Sequence, residues 1–437
     1  MQEFLEKQFQ LSKNGTNVKT EVIAGFTTFM TMAYIIFVNP SILSDAGMPW
    51  NGVFIATIMG IILGTVCMAL LTNYPFALAS GMGLNAFFAY SVVIGMGVSW
   101  QIALGIVFLE GILFIILSVT PIREIIINCI PMGLKSSISA GIGLFIAFIG
   151  LQNAGLVIKD DATLVALGDI ISGPGIVAIS GLVIMGVLHT LKIKGSMLWG
   201  ILGATIIGYL PGLNVTPPFQ GLVAAPQFSD WNEVLLKMDI RGALDFSLIA
   251  VIFSFLFVDL FDTAGTLVGV SAQAGYLDKD GNLPKASQAL LADAIGTAGG
   301  AIFGTSTVTT YIESASGVSE GVRTGLTGIV VAILFLLSLF LKPLVGIVPG
   351  AATAPALIVV GTMMIGNILN IKWEDFSEAL PAFVCLITIP MTYSIANGIA
   401  LGFITYPLIK LLSGRGKEVH SLVYILGILF VLKFIWL

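Results

Sequence analysis

Apolar runs of about 20 residues recur along this chain, and no other feature constrains its fold as strongly. IATIMGIILGTVCMALL (55–71), IALGIVFLEGILFIILSV (102–119) and LTGIVVAILFLLSLFL (326–341) hold one charged residue between them, Glu110. A segment that crosses hydrocarbon must satisfy its own backbone N–H and C=O groups, which leaves helices and closed barrels. Barrel strands read as alternating segments of about 10 residues, and these runs do not alternate. The expected fold is an all-α polytopic membrane protein, in keeping with 57% hydrophobic and 10% charged residues.

The breaks between runs predict spans at 22–40, 52–71, 80–97, 101–120, 136–157, 173–190, 196–211, 246–274, 286–303, 306–320, 324–341, 352–369, 376–393 and 395–412. The apolar tail 419–437 reads equally as a further span or an interfacial helix. The first 20 residues are polar and amphipathic, so no cleaved secretory signal is expected.

With the N-terminus inside, fourteen basic residues fall on inner segments: Lys7, Lys13, Lys19, Arg123, Lys135, Lys192, Lys194, Lys279, Lys285, Arg323, Lys372, Lys410, Arg415 and Lys417. Only four, Lys159, Lys237, Arg241 and Lys342, fall on outer loops. This excess predicts a multi-pass cell-membrane protein with a cytoplasmic N-terminus. Cys67, Cys129 and Cys385 have no metal-like spacing and read as packing residues. His189 and His420 read as interfacial residues near helix ends. No metal, no cofactor and no nucleic-acid partner is expected.

The chain repeats itself at an offset of about 220 residues, roughly half its length. ALGIVFLEGILFIILSVTPI (103–122) parallels LTGIVVAILFLLSLFLKPLV (326–345), and each follows a Gly-rich interrupted segment. These segments are YPFALASGMGLNAFFAY (74–90) and GTSTVTTYIESASGVSEG (304–321). Fourteen spans then divide into two sevens. An odd number per copy turns the second upside down, the inverted-repeat construction of secondary transporters.

Non-helical backbone at membrane depth must be buried in protein or line a cavity. Gly81 and Gly83 allow unusual dihedrals, and β-branched Thr and Val in TSTVTTYIES favour a strand. Each interrupted segment therefore reads as a short strand feeding a half-helix, the two meeting near the bilayer midplane.

Ionisable residues inside spans are costly and are functional candidates by default. Those in or near spans are Glu110, Asp259, Asp262, Asp293, Glu313 and Glu320. Asp259 and Asp262 stand about one turn apart on one helical face, beside Thr263, Gly265 and Thr266. Asp293 reads as a cap or bridge between helices. Glu110 sits alone on an apolar helix and takes no assignment.

Carboxylates, the Asn85 amide and backbone groups complement a small planar solute bearing N–H donors and ring acceptors. Phe87 or Phe88 could stack on its face, and Ser314 adjoins Glu313. The lack of an Arg or Lys cluster argues against a phosphorylated or strongly anionic solute. This chemistry reaches a small polar solute and goes no further.

TMAYIIFVNP (31–40), GMGLNAFFAYSVV (81–93), FVDLFDTAGTLVG (257–269) and GTSTVTTYIESASGV (304–318) stand in that order. Together they resemble the hypoxanthine/guanine/adenine permease branch of the nucleobase–ascorbate transporter family, over essentially the whole chain. The resemblance implies a core domain of spans 1–4 and 8–11, here 1–125 and 242–345. It implies a gate domain of spans 5–7 and 12–14, here 126–241 and 346–437, with a homodimer through the gate. Antiparallel strands in spans 3 and 10 would hold a purine base beside span 8, with uptake by proton symport and alternating access.

Carried over, Glu313 and Asp262 bind the base, Asp259 assists coupling or site geometry, and Asn85, Phe87 and Ser314 complete the pocket. Glu313, Asp259 and Asp262 are the candidate proton carriers. Uracil- and xanthine-type relatives carry a Glu in span 8 and often a nearby His. Here two Asp residues and no His stand in that region. A sulfate-type anion transporter would share the architecture but would want positive charge at the site. A membrane-embedded enzyme using the Asp pair lacks any accompanying HExxH or GxSxG constellation.

Overall fold

The chain is described by a computed structural model covering residues 2–120, 130–213, 215–218, 221–278 and 283–436. Arg123, Cys129, Lys279 and the expected boundary at 125/126 lie outside the described residues.

Among the described residues, nine helices are long and apolar enough to cross a membrane. They form spans 1 (Val18–Asp45), 2 (Trp50–Thr72), 4 (Trp100–Ser118), 5 (Met132–Asn153) and 6 (Gly173–Thr190), then 8 (Phe246–Ala274), 11 (Leu326–Gly346), 12 (Gly350–Asn370) and 14 (Ile395–Leu412). Span 9 (Ala286–Phe303), 18 residues long, and the shorter helices of spans 7 (Ser196–Gly208) and 13 (Phe376–Met391) complete the set. Spans 3 and 10 are the interrupted ones. Span 3 is strand β1 (Leu78–Ser80), half-helix Met82–Ala86 and a wider π-helical stretch Phe87–Gly95. Span 10 is strand β4 (Val308–Thr310) and half-helix Ser314–Val318.

Local chemistry explains the limits. Ser99, Ser172 and Ser394 cap spans 4, 6 and 14 by accepting from backbone N–H groups in the first turn. Span 5 starts four residues earlier than the apolar pattern suggests, because Pro131 sits at its N-cap. It ends at Asn153, and the chain then forms a hairpin of β2 (Val157–Asp160) and β3 (Leu164–Leu167) that hydropathy does not signal.

Packing follows a two-fold pattern. In one group span 2 packs on span 9, span 4 on span 9 as span 2 on span 11, and span 4 on span 8 as span 1 on span 11. In the other, span 5 packs on span 12, and span 5 on span 13 as span 6 on span 12. These contacts pair up when each span is exchanged for the one seven further on, as an inverted seven-plus-seven repeat requires. The helix Ser421–Trp436 doubles back along span 14, with Gly427 against Phe403 and Pro407, and with the Phe403 and Phe430 rings 5.9 Å apart.

Candidate functional site

β1 and β4 meet as an antiparallel pair, Leu78 opposite Thr310, Ala79 opposite Thr309 and Ser80 opposite Val308. The ladder continues one bond each way, from the Gly81 amide to the Thr307 carbonyl and from the Tyr311 amide to the Ala77 carbonyl, both 3.0 Å. Two three-residue strands would leave both outer edges unpaired deep in protein, which is costly. Side chains from the neighbouring spans pair them. Thr65 of span 2 accepts from the Leu78 amide at 2.9 Å and donates to the Leu78 carbonyl at 3.1 Å. On the far edge, Asp293 of span 9 accepts from the Thr310 amide at 2.7 Å, and Thr297 donates to the Val308 carbonyl at 3.0 Å. Asp293 is thus a bridge between span 9 and β4.

Glycine serves this crossing differently from the expectation. Gly81 has φ −67°, an ordinary value, so no unusual dihedral requires it. A Cβ there would stand 2.7 Å from Thr309 Cγ2, and one at Gly83 would stand 2.6 Å from Ile142 Cγ2. Close approach is what excludes a side chain.

Glu313 stands at the start of half-helix Ser314–Val318, half-buried, and its Oε1 accepts from Tyr34 Oη at 2.8 Å. Tyr34 lies at the break in span 1 between helices Val18–Met32 and Ile35–Asp45, and is itself buried. Asp262 of span 8 is half-buried too and within electrostatic reach of Glu313. No hydrogen bond from a described residue reaches its carboxylate. The fold brings these two half-buried acids within electrostatic reach of one another.

The other expected residues are committed to the scaffold to different degrees. Ser314 Oγ accepts from the Ala77 amide at 3.0 Å and so anchors the start of β1. Asn85 is buried, and its Oδ1 accepts from Ser306 Oγ at 2.6 Å while its Nδ2 has no partner among the described residues. The Phe87 ring is buried and lies 4.6 Å from that of Phe255. Buried Asp259 accepts from Thr297 at 3.2 Å and Thr263 at 3.4 Å.

Two residues of the site carried no role in the sequence reading. Tyr34 is one, although it sits inside the quoted TMAYIIFVNP. Asn39, in the same motif, donates from Nδ2 to Thr57 at 2.7 Å, Thr305 at 2.9 Å and Ser80 at 3.3 Å. It ties span 1 to span 2 and to both interrupted segments. A polar side chain in an apolar run was the only available signal.

The two packing groups also touch at their ends. Where spans 1 and 5 finish, Tyr90 donates to Asp45 at 2.6 Å and accepts from Asn153 at 2.9 Å. Nearby, Ser91 Oγ donates to the Tyr393 carbonyl at 2.7 Å. At the opposite end Lys194 pairs with Glu320.

A protein-family model described as Permease family matches residues 19–401. The chain is 44% identical to the adenine permease AdeP of Escherichia coli, covering 100% of this chain and 97% of that protein. It is 45% identical to the guanine/hypoxanthine permease PbuO of Bacillus subtilis, covering 97% and 99%. Among solved structures, the transmembrane domain of the cyanobacterial bicarbonate transporter BicA superposes with a TM-score of 0.64 at 14% identity. The likeness covers 88% of this chain and 97% of that one, and speaks for the fold alone.

Proposed function

The chain belongs to the permease family, the nucleobase–ascorbate transporters its motifs resemble, and on that premise we propose that it imports purine nucleobases by proton symport. It is a transporter rather than an enzyme. The relatives named as adenine and guanine/hypoxanthine permeases support a purine base as substrate.

The observation that carries the reading is the Glu313–Asp262 pair. Two half-buried carboxylates lie within electrostatic reach of each other beside a strand crossing, one oriented by Tyr34 and the other without a hydrogen bond from a described residue. A flat base with two N–H edges can donate to both at once, which a phosphate, sulfate or bicarbonate anion cannot. The anion-transporter alternative therefore finds no support at this site. Asn85 offers its unpartnered Nδ2 as a donor to ring nitrogen or O6.

Spans 1–4 with 8–11 act as a core that carries the base, and spans 5–7 with 12–14 act as the gate. Alternating access moves one against the other. The Tyr90–Asn153 and Ser91–Tyr393 contacts hold the end opposite the N-terminus closed, and with a cytoplasmic N-terminus that end is external. The dimer partner is a second copy joined through the gate.

Uptake of radiolabelled hypoxanthine into proteoliposomes under an imposed inward proton gradient tests the reading. A panel of unlabelled adenine, guanine, hypoxanthine, uracil and bicarbonate competes for entry. Competition by purines, with loss of uptake in Glu313→Gln and Asp262→Asn at unchanged membrane abundance, is expected. Uptake indifferent to every purine would refute it.

A further inference from the structure

Glu110 of span 4 is fully buried, and among the described residues neither of its carboxyl oxygens has a hydrogen-bond donor. A Cβ at the adjacent Gly111 would stand 2.7 Å from the Ala298 amide nitrogen, so spans 4 and 9 are in backbone contact at this level. Span 4 also packs on span 8, where Glu110 comes within interaction range of Asp259, and it lies in the field of Asp293 of span 9. Each helix packed here faces the site with acids: Asp259 and Asp262 from span 8, and Asp293 from span 9. The hydrogen bonds to these groups come from hydroxyls and one amide: Thr263, Thr297, and the Thr310 amide and hydroxyl.

Asp293 is satisfied, with three donors. Glu110 has no donor among the described residues, and Asp259 has one long hydroxyl contact on each oxygen, 3.4 Å from Thr263 and 3.2 Å from Thr297. Two carboxylates present only acceptors to one another, and two adjacent buried charges with no cation repel strongly. One proton removes both problems, because the protonated carboxyl then donates to its neighbour.

We propose that Glu110 and Asp259 share a single proton behind the binding site, and that this pair is the seat of the coupling proton. The inference rests on the proton-symport reading and adds to it a residue on span 4. Loading forms one O–H bond on one of the two carboxyls. Release breaks that bond and returns the proton to water that reaches half-buried Asp262, one turn further along span 8.

A hydroxyl chain connects the pair to the strands. Thr263 Oγ1 lies 3.4 Å from Asp259, 2.9 Å from Asp293 and 2.7 Å from Thr309 Oγ1, and Thr309 sits in β4 opposite Ala79. A bare pair draws the Thr263 hydroxyl towards Asp259 and away from Asp293 and Thr309, and a protonated pair releases it. The geometry of β4, and of Glu313 three residues beyond it, follows the proton.

The test compares wild type, Glu110→Gln and Glu110→Asp in proteoliposomes. Glu110→Gln mimics the protonated group. It is expected to keep hypoxanthine counterflow but to lose gradient-driven accumulation, which for one proton reaches about tenfold per pH unit of gradient. Glu110→Asp should recover part of that accumulation. Infrared spectra of the substrate-free protein should contain a protonated-carboxyl band sensitive to D2O and missing in Glu110→Gln.

An unchanged infrared band, or wild-type accumulation in Glu110→Gln, would overturn the inference while leaving purine transport intact. Wild-type protein that exchanges hypoxanthine but never accumulates it would instead overturn proton symport, and this assignment with it.

Discussion

Tyr34 and Glu313 stand 279 positions apart in the chain, and a 2.8 Å hydrogen bond joins them. The bond ties the break in span 1 to the point where β4 turns into its half-helix. It orients the Glu313 carboxylate, which also takes a hydrogen bond from its own backbone amide.

Removing the phenol tests that orientation. Hydrogen bonds to charged groups contribute about 1.5–3 kcal/mol. Tyr34→Phe should therefore raise the KM for purine uptake by roughly ten- to a hundredfold, with membrane abundance unchanged. A KM equal to that of wild type would show that Glu313 needs no such support.

Asp293 is expected to act on stability before it acts on transport. Asp293→Ala strands the buried Thr310 amide, at a cost of about 1–3 kcal/mol for the unpaired donor. The melting temperature of the detergent-purified protein should fall. Asp293→Asn keeps an acceptor for that amide and should recover most of the loss. Thr65→Val, on the opposite strand edge, should behave like Asp293→Ala.

Gly83 and Ile142 belong to the two packing groups that the proposed mechanism moves past each other. A Cβ at residue 83 would stand 2.6 Å from Ile142 Cγ2, so Gly83→Val places a wedge between them. Overpacking of this kind costs about 1–3 kcal/mol. Uptake rate should fall about tenfold. Base binding by the purified protein should change much less, and equal losses of rate and affinity would argue for a direct role at the site instead.

Acid should loosen the end of spans 13 and 14. Hydrogen bonds from Ser377 and then Arg415 hold the Asp375 carboxyl down at about 2, and those from Arg415 and then Lys410 hold Glu418 down at about 2. Depressed values mean that the folded state binds fewer protons than the unfolded chain. The contribution is thus complete above the ordinary carboxylate range and is lost as pH falls from about 4 to about 2. Hydrogen exchange at 413–420 should rise across that window. Arg415→Gln should move the rise to higher pH.

How far the sequence reaches can be judged from particular residues. Spans 6, 9 and 14 run Gly173–Thr190, Ala286–Phe303 and Ile395–Leu412, at the limits the apolar pattern and its breaks suggested. Spans 3 and 10 each hold the expected strand and half-helix, although β1 starts at Leu78, before the expected limit at 80. Crossing hydrocarbon is a local demand: each segment must bury its own backbone, so composition over about 20 residues decides the outcome. The β2–β3 hairpin escaped notice because it lies outside that demand.

The site is the reverse case. That Glu313 is oriented by Tyr34, that Ser314 holds the start of β1, that Asp293 completes a strand edge and that Glu110 meets Asp259 are facts about side chains brought together from different spans. The residue types were visible in the sequence as costly acids in apolar runs, so it determined that a polar site exists and which elements carry it. Which acid is hydrogen-bonded into the scaffold and which is not depends on partners up to 279 positions away. Only the packed helices supply or withhold those donors.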